Sequence, residues 1–200
     1  MEEDLGSLFI NDLKIFQIRF CCLYLKKEYI IMLKEKIEIA LNNQIKIEAE
    51  SSQIYLAMAS WAENQGLGGA AQFLYRHSDE ERMHMLKLVQ YVNERGGKSI
   101  IPSLEQPEKE YKSLSNLFQT LLEHEIMVSA EINNLVEICL NEKDYTTHNF
   151  MQWYVAEQIE EEALARTIMD KLNMIGQDKG GMYLFDRDIE NISLGNTAEK

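Results

Sequence analysis

Large apolar residues recur every three or four positions along four long stretches of the chain. This spacing places them on one face of an α-helix, so each stretch is predicted to form a helix with one buried side. The predicted helices span residues 33–63, 70–95, 114–141 and 146–175. At a rise of about 1.5 Å per residue, each is roughly 40–45 Å long. A short fifth helix is predicted within residues 182–193.

Turn and capping residues separate these helices. Gly96 and Gly176 follow the second and fourth helices, as is typical of helix C-termini. Thr146 or Thr147 is a suitable N-cap for the fourth helix. Both prolines fall within residues 98–113, which show no clear period. We interpret that segment as an extended crossover, which predicts an all-α four-helix bundle made of two helical hairpins.

Each of the four apolar stripes is interrupted near its middle by side chains that can bind a metal ion. These side chains are Glu48 on the first stripe, Glu81 and His84 on the second, Glu125 on the third, and Gln158 and Glu161 on the fourth. Carboxylates and imidazoles are costly in an apolar core unless another charge compensates them. Four interruptions at matching depth therefore favour a metal site inside the bundle.

The composition of this set indicates which metal would bind. Oxygen-rich ligation with a single histidine suits iron or manganese better than a thiolate-preferring metal. Glu81 is central in the set and is our candidate for a carboxylate that bridges two ions. Glu48 and Glu125 are then expected to bind opposite metals as terminal ligands.

Each of these residues also has a purely structural interpretation. Glu81 and His84 alone would fit a hydrogen-bonded core pair, and Glu48 or Glu125 alone would fit a misjudged helix phase. His77 also lies on a stripe but has no acidic partner in the set. We therefore interpret it as structural or as a hydrogen-bond donor behind the ligands.

Two aromatic residues and several further acids lie close to the predicted ligands. Tyr55 and Trp153 fit ordinary core aromatics, although a phenol near Glu48 can also hydrogen-bond a ligand or donate an electron. The additional acids are Glu80, Glu157, Glu160 and Glu162. Such a run is usually a solvated helix face, but beside a metal site some of these acids could hold a third, weaker cation.

The composition narrows the range of partners and compartments. A net charge of −13 over 200 residues argues against non-specific nucleic-acid binding, which needs clustered Lys and Arg. Cys21, Cys22 and Cys139 form no even-numbered disulfide framework and no zinc pattern. A reducing cytosol is therefore the simplest compartment.

The first 31 residues differ from the rest of the chain. They are rich in large apolar residues but contain no run of about 20 that would span a membrane. They also lack the pattern of a signal peptide. Our hypothesis is that translation starts at Met32 and that residues 1–31 are an atypical extension from upstream sequence; the alternative is a short membrane-associating or targeting arm. The remaining divisions are a domain at 32–193 and a flexible tail at 194–200.

Several short motifs surround the predicted ligands: Asn42-Asn43-Gln44 before Glu48, Ser51-Ser52 with Tyr55, Phe73-Leu74, residues 76–85 (RHSDEERMHM) and residues 149–158 (NFMQWYVAEQ). Through these motifs the chain from Met32 to about Ser193 resembles the bacterial non-haem ferritins of the ferritin-like di-iron family. This resemblance implies a ferritin-like four-helix bundle with one long crossover connection and a short C-terminal fifth helix.

The same resemblance implies a cytoplasmic ferroxidase that stores iron. Fe²⁺ would be oxidised by O₂ or peroxide at a di-iron centre, and ferric oxide-hydroxide would collect inside a cage of twenty-four identical subunits, with no nucleic-acid or membrane partner. The first iron would be held by Glu48, Glu81 and His84, the second by Glu81, Glu125 and Gln158, and a third by Glu80, Glu157, Glu160 and Glu161. Tyr55, close to the first iron, matches the family's redox-active tyrosine.

Two departures from related patterns refine this expectation. Many di-iron oxidases repeat Glu-x-x-His on the last helix, where this chain has Gln158-Ile159-Glu160-Glu161. The difference favours weaker, exchangeable binding of the second iron. Arg82 stands where bacterioferritins carry a haem-ligating Met, so no haem is expected.

Three other interpretations of the bundle stay open at this point. A di-iron oxidase or peroxidase would use the same ligands without storing iron. A DNA-protecting mini-ferritin usually places its metal site between subunits, which fits the complete four-helix ligand set poorly. A metal-free structural bundle would use none of the proposed ligands in chemistry.

Overall fold

The computed structural model describes residues 33–189 and residue 192, which contain five helices and no strand. The helices are α1 (Glu35–Asn64), α2 (Gly68–Glu94), α3 (Leu114–Asn141), α4 (Tyr145–Ile175) and α5 (Lys179–Ile189). The all-α prediction is confirmed, and the bounds of the four long helices lie within a few residues of those expected. The hypotheses about residues 1–31 and 194–200 concern parts of the chain outside the described residues.

The helix ends show where local sequence signals are sufficient and where they are not. Gly96 follows α2 with a φ of 76°, and Gly176 follows α4 with a φ of 57°, a left-handed conformation that glycine adopts without a steric penalty. The prediction that Thr146 or Thr147 is the N-cap of α4 is wrong. Asp144 caps this helix instead, because its carboxylate accepts a hydrogen bond from the backbone N–H of Thr147 at 3.0 Å.

The prediction for the last helix is displaced by a few residues. Helix α5 begins at Lys179, ahead of the expected Met182. The reason lies in Asp178, whose Oδ2 accepts a hydrogen bond from the backbone N–H of Gly181 at 2.6 Å. This bond satisfies one of the donors that a helix N-terminus leaves without an intrahelical partner.

The crossover between α2 and α3 runs along the length of α1, as the sequence predicts. At its start, Asn42 accepts from the backbone N–H of Ile100 at 2.7 Å and donates to the carbonyl of Lys98 at 3.1 Å. At its end, the ring of Tyr111 packs edge-on against Trp61, with centroids 5.6 Å apart. Asn42 and Trp61 are separated by roughly 28 Å of helix. Helix α1 pairs with α2, α3 pairs with α4, and α1 also packs against α3.

Two apolar clusters fill the bundle, and a polar layer separates them. One cluster reaches Ile47 on α1, Leu88 on α2, Val128 on α3 and Tyr154 on α4, and the other resumes at Tyr55, Leu74, Leu121 and Ala165. The positions between these limits are the ones where the sequence stripes are interrupted. Burial of each large aliphatic side chain stabilises the fold by about 1.5–3 kcal/mol. The two clusters therefore supply the apolar stabilisation. The layer between them contains the buried polar and charged side chains.

Helix α5 closes one end of the bundle. Phe185 and Ile189 are buried against the nearer apolar cluster. Asp186 accepts a hydrogen bond from the backbone N–H of Ala70 at 2.9 Å, and so caps the start of α2. A Cβ atom on Gly69 would lie only 1.6 Å from the carbonyl oxygen of Asp186.

Among the described residues, no helix combines the length and apolar character needed to cross a bilayer.

We expect Gly69→Ala to destabilise the protein by about 1–3 kcal/mol, because the added methyl group must push the backbone of α5 away from α2. Gly68→Ala is the matched control, since no atom lies within 4 Å of a Cβ at that position and alanine favours the helix. Thermal melting of the two variants measures the difference. Equal melting temperatures would contradict the close contact between α2 and α5.

Candidate metal centre

Three of the sequence-predicted ligands meet in the polar layer. His84 Nδ1 lies 3.4 Å from Glu81 Oε2 and 3.9 Å from Glu48 Oε2. One ligand atom from each residue lies within 4.8 Å of the other two. All three side chains are buried, with relative exposures of 1–5%. This arrangement of two carboxylates and one imidazole can hold a divalent cation.

Neighbouring groups contact two of these three residues, Glu48 and His84. Gln44 donates a hydrogen bond from Nε2 to Glu48 Oε1 at 2.8 Å. The hydroxyl of Tyr154 donates to the backbone carbonyl of His84 at 2.8 Å, and the Trp153 ring lies edge-on to the imidazole at 5.1 Å. The role of Gln44 was missed by the sequence analysis, although its position one helical turn before Glu48 was an available signal.

Glu125 and Gln158 form the other half of the polar layer. Gln158 Nε2 donates to Glu125 Oε2 at 3.0 Å, and the hydroxyl of Tyr55 donates to Glu125 Oε1. Both residues are buried. Tyr55 was expected close to the first iron, but its hydroxyl contacts Glu125, a predicted ligand of the second iron. Tyr55 reaches that carboxylate because α1 packs directly against α3.

Burial and mutual repulsion raise the pKa values of the carboxyl groups in this layer. Burial is the main cause for Glu48 and Glu81; the charge of Glu81 adds to it for Glu48, and the charge of Glu125 adds to it for Glu81. Burial also raises the pKa of Glu125, and hydrogen bonds from Tyr55 and Gln158 oppose that rise. A bound divalent cation would favour the ionised forms and reverse these shifts.

His77 has acidic neighbours that the sequence analysis did not expect. Its Nδ1 lies 3.7 Å from Glu80 Oε2 and 3.7 Å from Glu161 Oε2. The ring is buried edge-on against Phe73, with centroids 4.3 Å apart. Burial lowers the pKa of His77 to about 4, so the imidazole is neutral at pH 7. The interpretation of His77 as lacking an acidic partner is therefore wrong, because Glu161 reaches it from α4.

The four acids expected at a third site divide between two groups. Glu80 joins His77 and Glu161 in one group, and it joins His84 and Glu157 in the other; in each, ligand atoms lie within 4.8 Å of one another. Glu160 belongs to neither group. The Glu80 side chain is 43% exposed, so this cluster connects the buried centre with the outer face of the bundle.

His124 is a third histidine near the centre, and it was not among the residues predicted from the sequence. Its Nε2 lies 2.8 Å from the hydroxyl oxygen of Ser51, and its ring is edge-on to Tyr55 with centroids 5.7 Å apart. Burial lowers the pKa of His124 to about 4. Because it lies immediately before Glu125 and off the apolar stripe, the helical period carried no signal for it.

Comparison with known proteins gives consistent results for most of the chain. A family profile described as "Ferritin-like domain" matches residues 38–175. The chain is 46% identical over 162 residues to a probable bacterial non-heme ferritin-like protein of Haemophilus influenzae, covering 81% of this chain and 98% of that protein. It is 45% identical over 163 residues to a bacterial non-heme ferritin of Campylobacter jejuni, covering 82% of this chain and 98% of that protein.

Solved structures show the same similarity in three dimensions. An open pore ferritin from the archaeon Archaeoglobus fulgidus superimposes with a TM-score of 0.79 at 41% sequence identity, covering 80% of this chain and 98% of the other. A closed form of that ferritin made by site-directed mutagenesis gives a TM-score of 0.78 at 41% sequence identity, covering 79% of this chain and 96% of the other.

We expect Glu81→Gln to stabilise the metal-free protein by about 1–3 kcal/mol at pH 8, since it removes a buried charge that nearby carboxylates repel. Folding raises the pKa of Glu81 above 4.5. The stability linked to this proton is therefore present below pH 4.5 and lost as the pH rises through the folded-state pKa. The advantage of the variant should shrink towards pH 5, as measured by thermal melting with a chelator.

Glu94→Gln is the control for this comparison, because Glu94 is an exposed acid on the same helix. It should melt like the wild type at both pH values. If Glu81→Gln were less stable than the wild type at pH 8 without metal, the charge of Glu81 would be stabilising the fold rather than opposing it.

Proposed function

The chain belongs to the ferritin family, and from this premise we propose that it is a ferroxidase that oxidises Fe²⁺ to Fe³⁺ and stores the product. The observation that carries the proposal is the group formed by Glu48, Glu81 and His84 in the bundle core, with Glu125 and Gln158 completing the layer. Iron is the substrate at this centre, and O₂ or peroxide is the oxidant.

In this proposal the first iron is bound by Glu48, Glu81 and His84. These residues supply two oxygen ligands and one nitrogen ligand, and Gln44 holds Glu48 in place from one helical turn away. The surrounding apolar clusters exclude bulk water, which strengthens the interaction between the carboxylates and the cation. The raised pKa values of Glu48 and Glu81 imply that iron binding releases protons.

The second iron is bound by Glu81, Glu125 and Gln158, with Glu81 bridging the two ions. Gln158 contributes a neutral amide oxygen where a second histidine or carboxylate would bind more strongly. The second iron is therefore held less tightly than the first. This difference suits a substrate that must leave after oxidation.

Tyr55 is positioned to supply an electron to this centre. Burial, and then the negative charge of Glu125, raise the pKa of Tyr55 well above 10, so the phenol keeps its proton until it is oxidised. When an electron leaves the ring, the phenolic proton can pass to Glu125, which already accepts the hydrogen bond. Proton and electron can thus leave Tyr55 together without creating an isolated buried charge.

We propose that iron leaving the centre is bound next by a third set of ligands. The resemblance to bacterial ferritins assigns Glu80, Glu157, Glu160 and Glu161 to this role. The geometry adds His77, whose neutral ring lies between Glu80 and Glu161. A partly exposed carboxylate at Glu80 would let iron pass from the buried layer to the surface of the bundle.

The proposed setting is a cytoplasmic cage of twenty-four identical subunits that encloses ferric oxide-hydroxide. The relatives and solved structures that match most of this chain are ferritins, and this similarity supports the assembly. Haem forms no part of the proposal. A non-storing di-iron oxidase or peroxidase is the alternative, since it would use the same buried ligands.

Storage and oxidation are tested together by adding Fe²⁺ to the protein in air and measuring oxidation rate, particle size and iron retained per subunit. We expect a large particle that retains iron, and a loss of initial rate of at least about tenfold in Glu81→Ala, because both irons lose a ligand. Glu94→Ala should behave as the wild type. Rapid oxidation by a monomer or dimer that retains no iron would instead favour the non-storing oxidase.

The third site is tested by anaerobic titration with Fe²⁺. We expect three ions per subunit in the wild type and two in His77→Ala, since His77 supplies a nitrogen ligand between two carboxylates. Glu160→Gln should keep all three, because Glu160 lies outside both ligand groups. Loss of the third ion in Glu160→Gln but not in His77→Ala would restore the all-carboxylate assignment.

A further inference from the structure

A continuous chain of hydrogen bonds leads from the proposed second iron position to the surface of the bundle. Gln158 Nε2 lies 3.0 Å from Glu125 Oε2, 3.2 Å from the Glu125 carbonyl and 3.4 Å from Ser129 Oγ. Ser129 donates its hydroxyl proton to Glu162 Oε1 at 2.5 Å. Arg166, which is 54% exposed, donates to the other oxygen of Glu162. These hydrogen bonds alternate between α3 and α4 as far as Glu162, and the last link, from Arg166 to Glu162, lies within α4.

The direction of these hydrogen bonds determines how the Gln158 amide is turned. The three groups around Nε2 all act as acceptors, because the carboxylate and carbonyl of Glu125 carry no hydrogen to donate and the hydroxyl hydrogen of Ser129 is engaged by Glu162. An amide flipped by half a turn would place its oxygen against these same acceptors and gain no hydrogen bond. Only the observed orientation leaves the amide oxygen available to a cation.

Glu162 determines how the Ser129 hydroxyl acts, although it belongs to none of the three proposed sets of iron ligands. A serine hydroxyl can donate or accept, and without a strong acceptor nearby it could either accept from the amide N–H or donate to the amide oxygen, whichever faced it. The carboxylate of Glu162 accepts from the Ser129 hydroxyl and so fixes its direction, and Arg166 holds that carboxylate in place through an ion pair. The ion pair of Glu162 and Arg166 at the surface therefore favours one orientation of the Gln158 amide in the core, and Ser129 connects the two.

We propose that Ser129 and Glu162 are positioning residues that hold the amide oxygen of Gln158 towards the second iron. The inference rests on the proposed function, because it concerns a ligand of the proposed di-iron centre. It goes beyond that function by assigning a role to two residues outside the ligand set. It also explains how a residue with two nearly isosteric amide atoms can serve as a defined oxygen ligand.

The test is a titration of the full-length protein with Co²⁺, which is stable in air and is followed by visible absorption and calorimetry. We expect the wild type to bind two Co²⁺ tightly per subunit. Ser129→Ala should weaken the second site about tenfold, a typical effect of removing a group that orients a metal ligand. The first site should be unchanged, since the side-chain hydrogen bonds of Ser129 are to Gln158 and Glu162, which are not ligands of the first site. Glu162→Ala should give the same pattern.

Two further variants separate orientation from general disturbance of the helix. Ser115→Ala makes the same substitution on the same helix about 14 residues away and should bind both ions normally. Ser129→Thr keeps the hydroxyl and should restore the second site.

A double-mutant cycle tests the mechanism itself. In Gln158→Glu either oxygen can bind the cation, so amide orientation no longer matters. Adding Ser129→Ala to Gln158→Glu should therefore change the second-site affinity by less than about twofold.

The outcomes distinguish this inference from the proposed function. If the wild type binds two Co²⁺ and Ser129→Ala binds both equally well, the inference is overturned and the di-iron centre stands. A tenfold loss that persists in the Gln158→Glu background would also overturn it, since Ser129 would then act by another route. If the wild type itself binds fewer than two ions, the two-iron site fails and the inference fails with it.

Discussion

The structure depends on how several acidic side chains are accommodated at one level of a long helical bundle. Glu48, Glu81, Glu125 and Glu161 are all buried, and burial raises the pKa of each. Such a layer opposes folding unless protons or cations neutralise it. The apolar clusters on either side supply the stabilisation that tolerates it. A bundle organised in this way holds an unfavourable charge distribution that a divalent cation relieves, which is the physical basis of the proposed iron centre.

The two halves of the layer differ in how their buried carboxylates are compensated. On one side, two carboxylates and a histidine already lie close enough to hold one cation. On the other side, the oxygens of Glu125 are occupied by donors from Tyr55 and Gln158, and the remaining ligand is an uncharged amide. The carboxylate of Glu125 therefore already has hydrogen-bond donors without metal. In the proposed function, the second position gains less free energy from binding a cation than the first. In the proposed function this asymmetry keeps one iron firmly bound while the other is exchanged.

The region beyond the layer connects its chemistry with the exterior of the bundle. His77, Glu80 and Glu161 form a cluster that begins in the core and ends at a partly exposed carboxylate. In another direction, Ser129, Glu162 and Arg166 extend from Gln158 to the surface. The first set contains atoms that can ligate a cation, whereas the second fixes the direction of hydrogen bonds. In the proposed function, the first set gives the substrate a path to the buried centre, and the second keeps the amide of the neutral ligand Gln158 correctly oriented.

The sequence by itself determined the features that follow from the period of a single helix. Apolar spacing predicted the four long helices, and polar breaks in that spacing identified the residues that meet in the core, among them Glu48, Glu81 and His84. Contacts between helices were decided only by the tertiary structure: Glu161 beside His77, Ser51 against His124, and Tyr55 on Glu125. Such contacts depend on the rotation and depth at which helices pack and on the rotamer of each side chain. Helical period fixes which face a residue occupies, but it contains no information about which side chain on another helix will meet it.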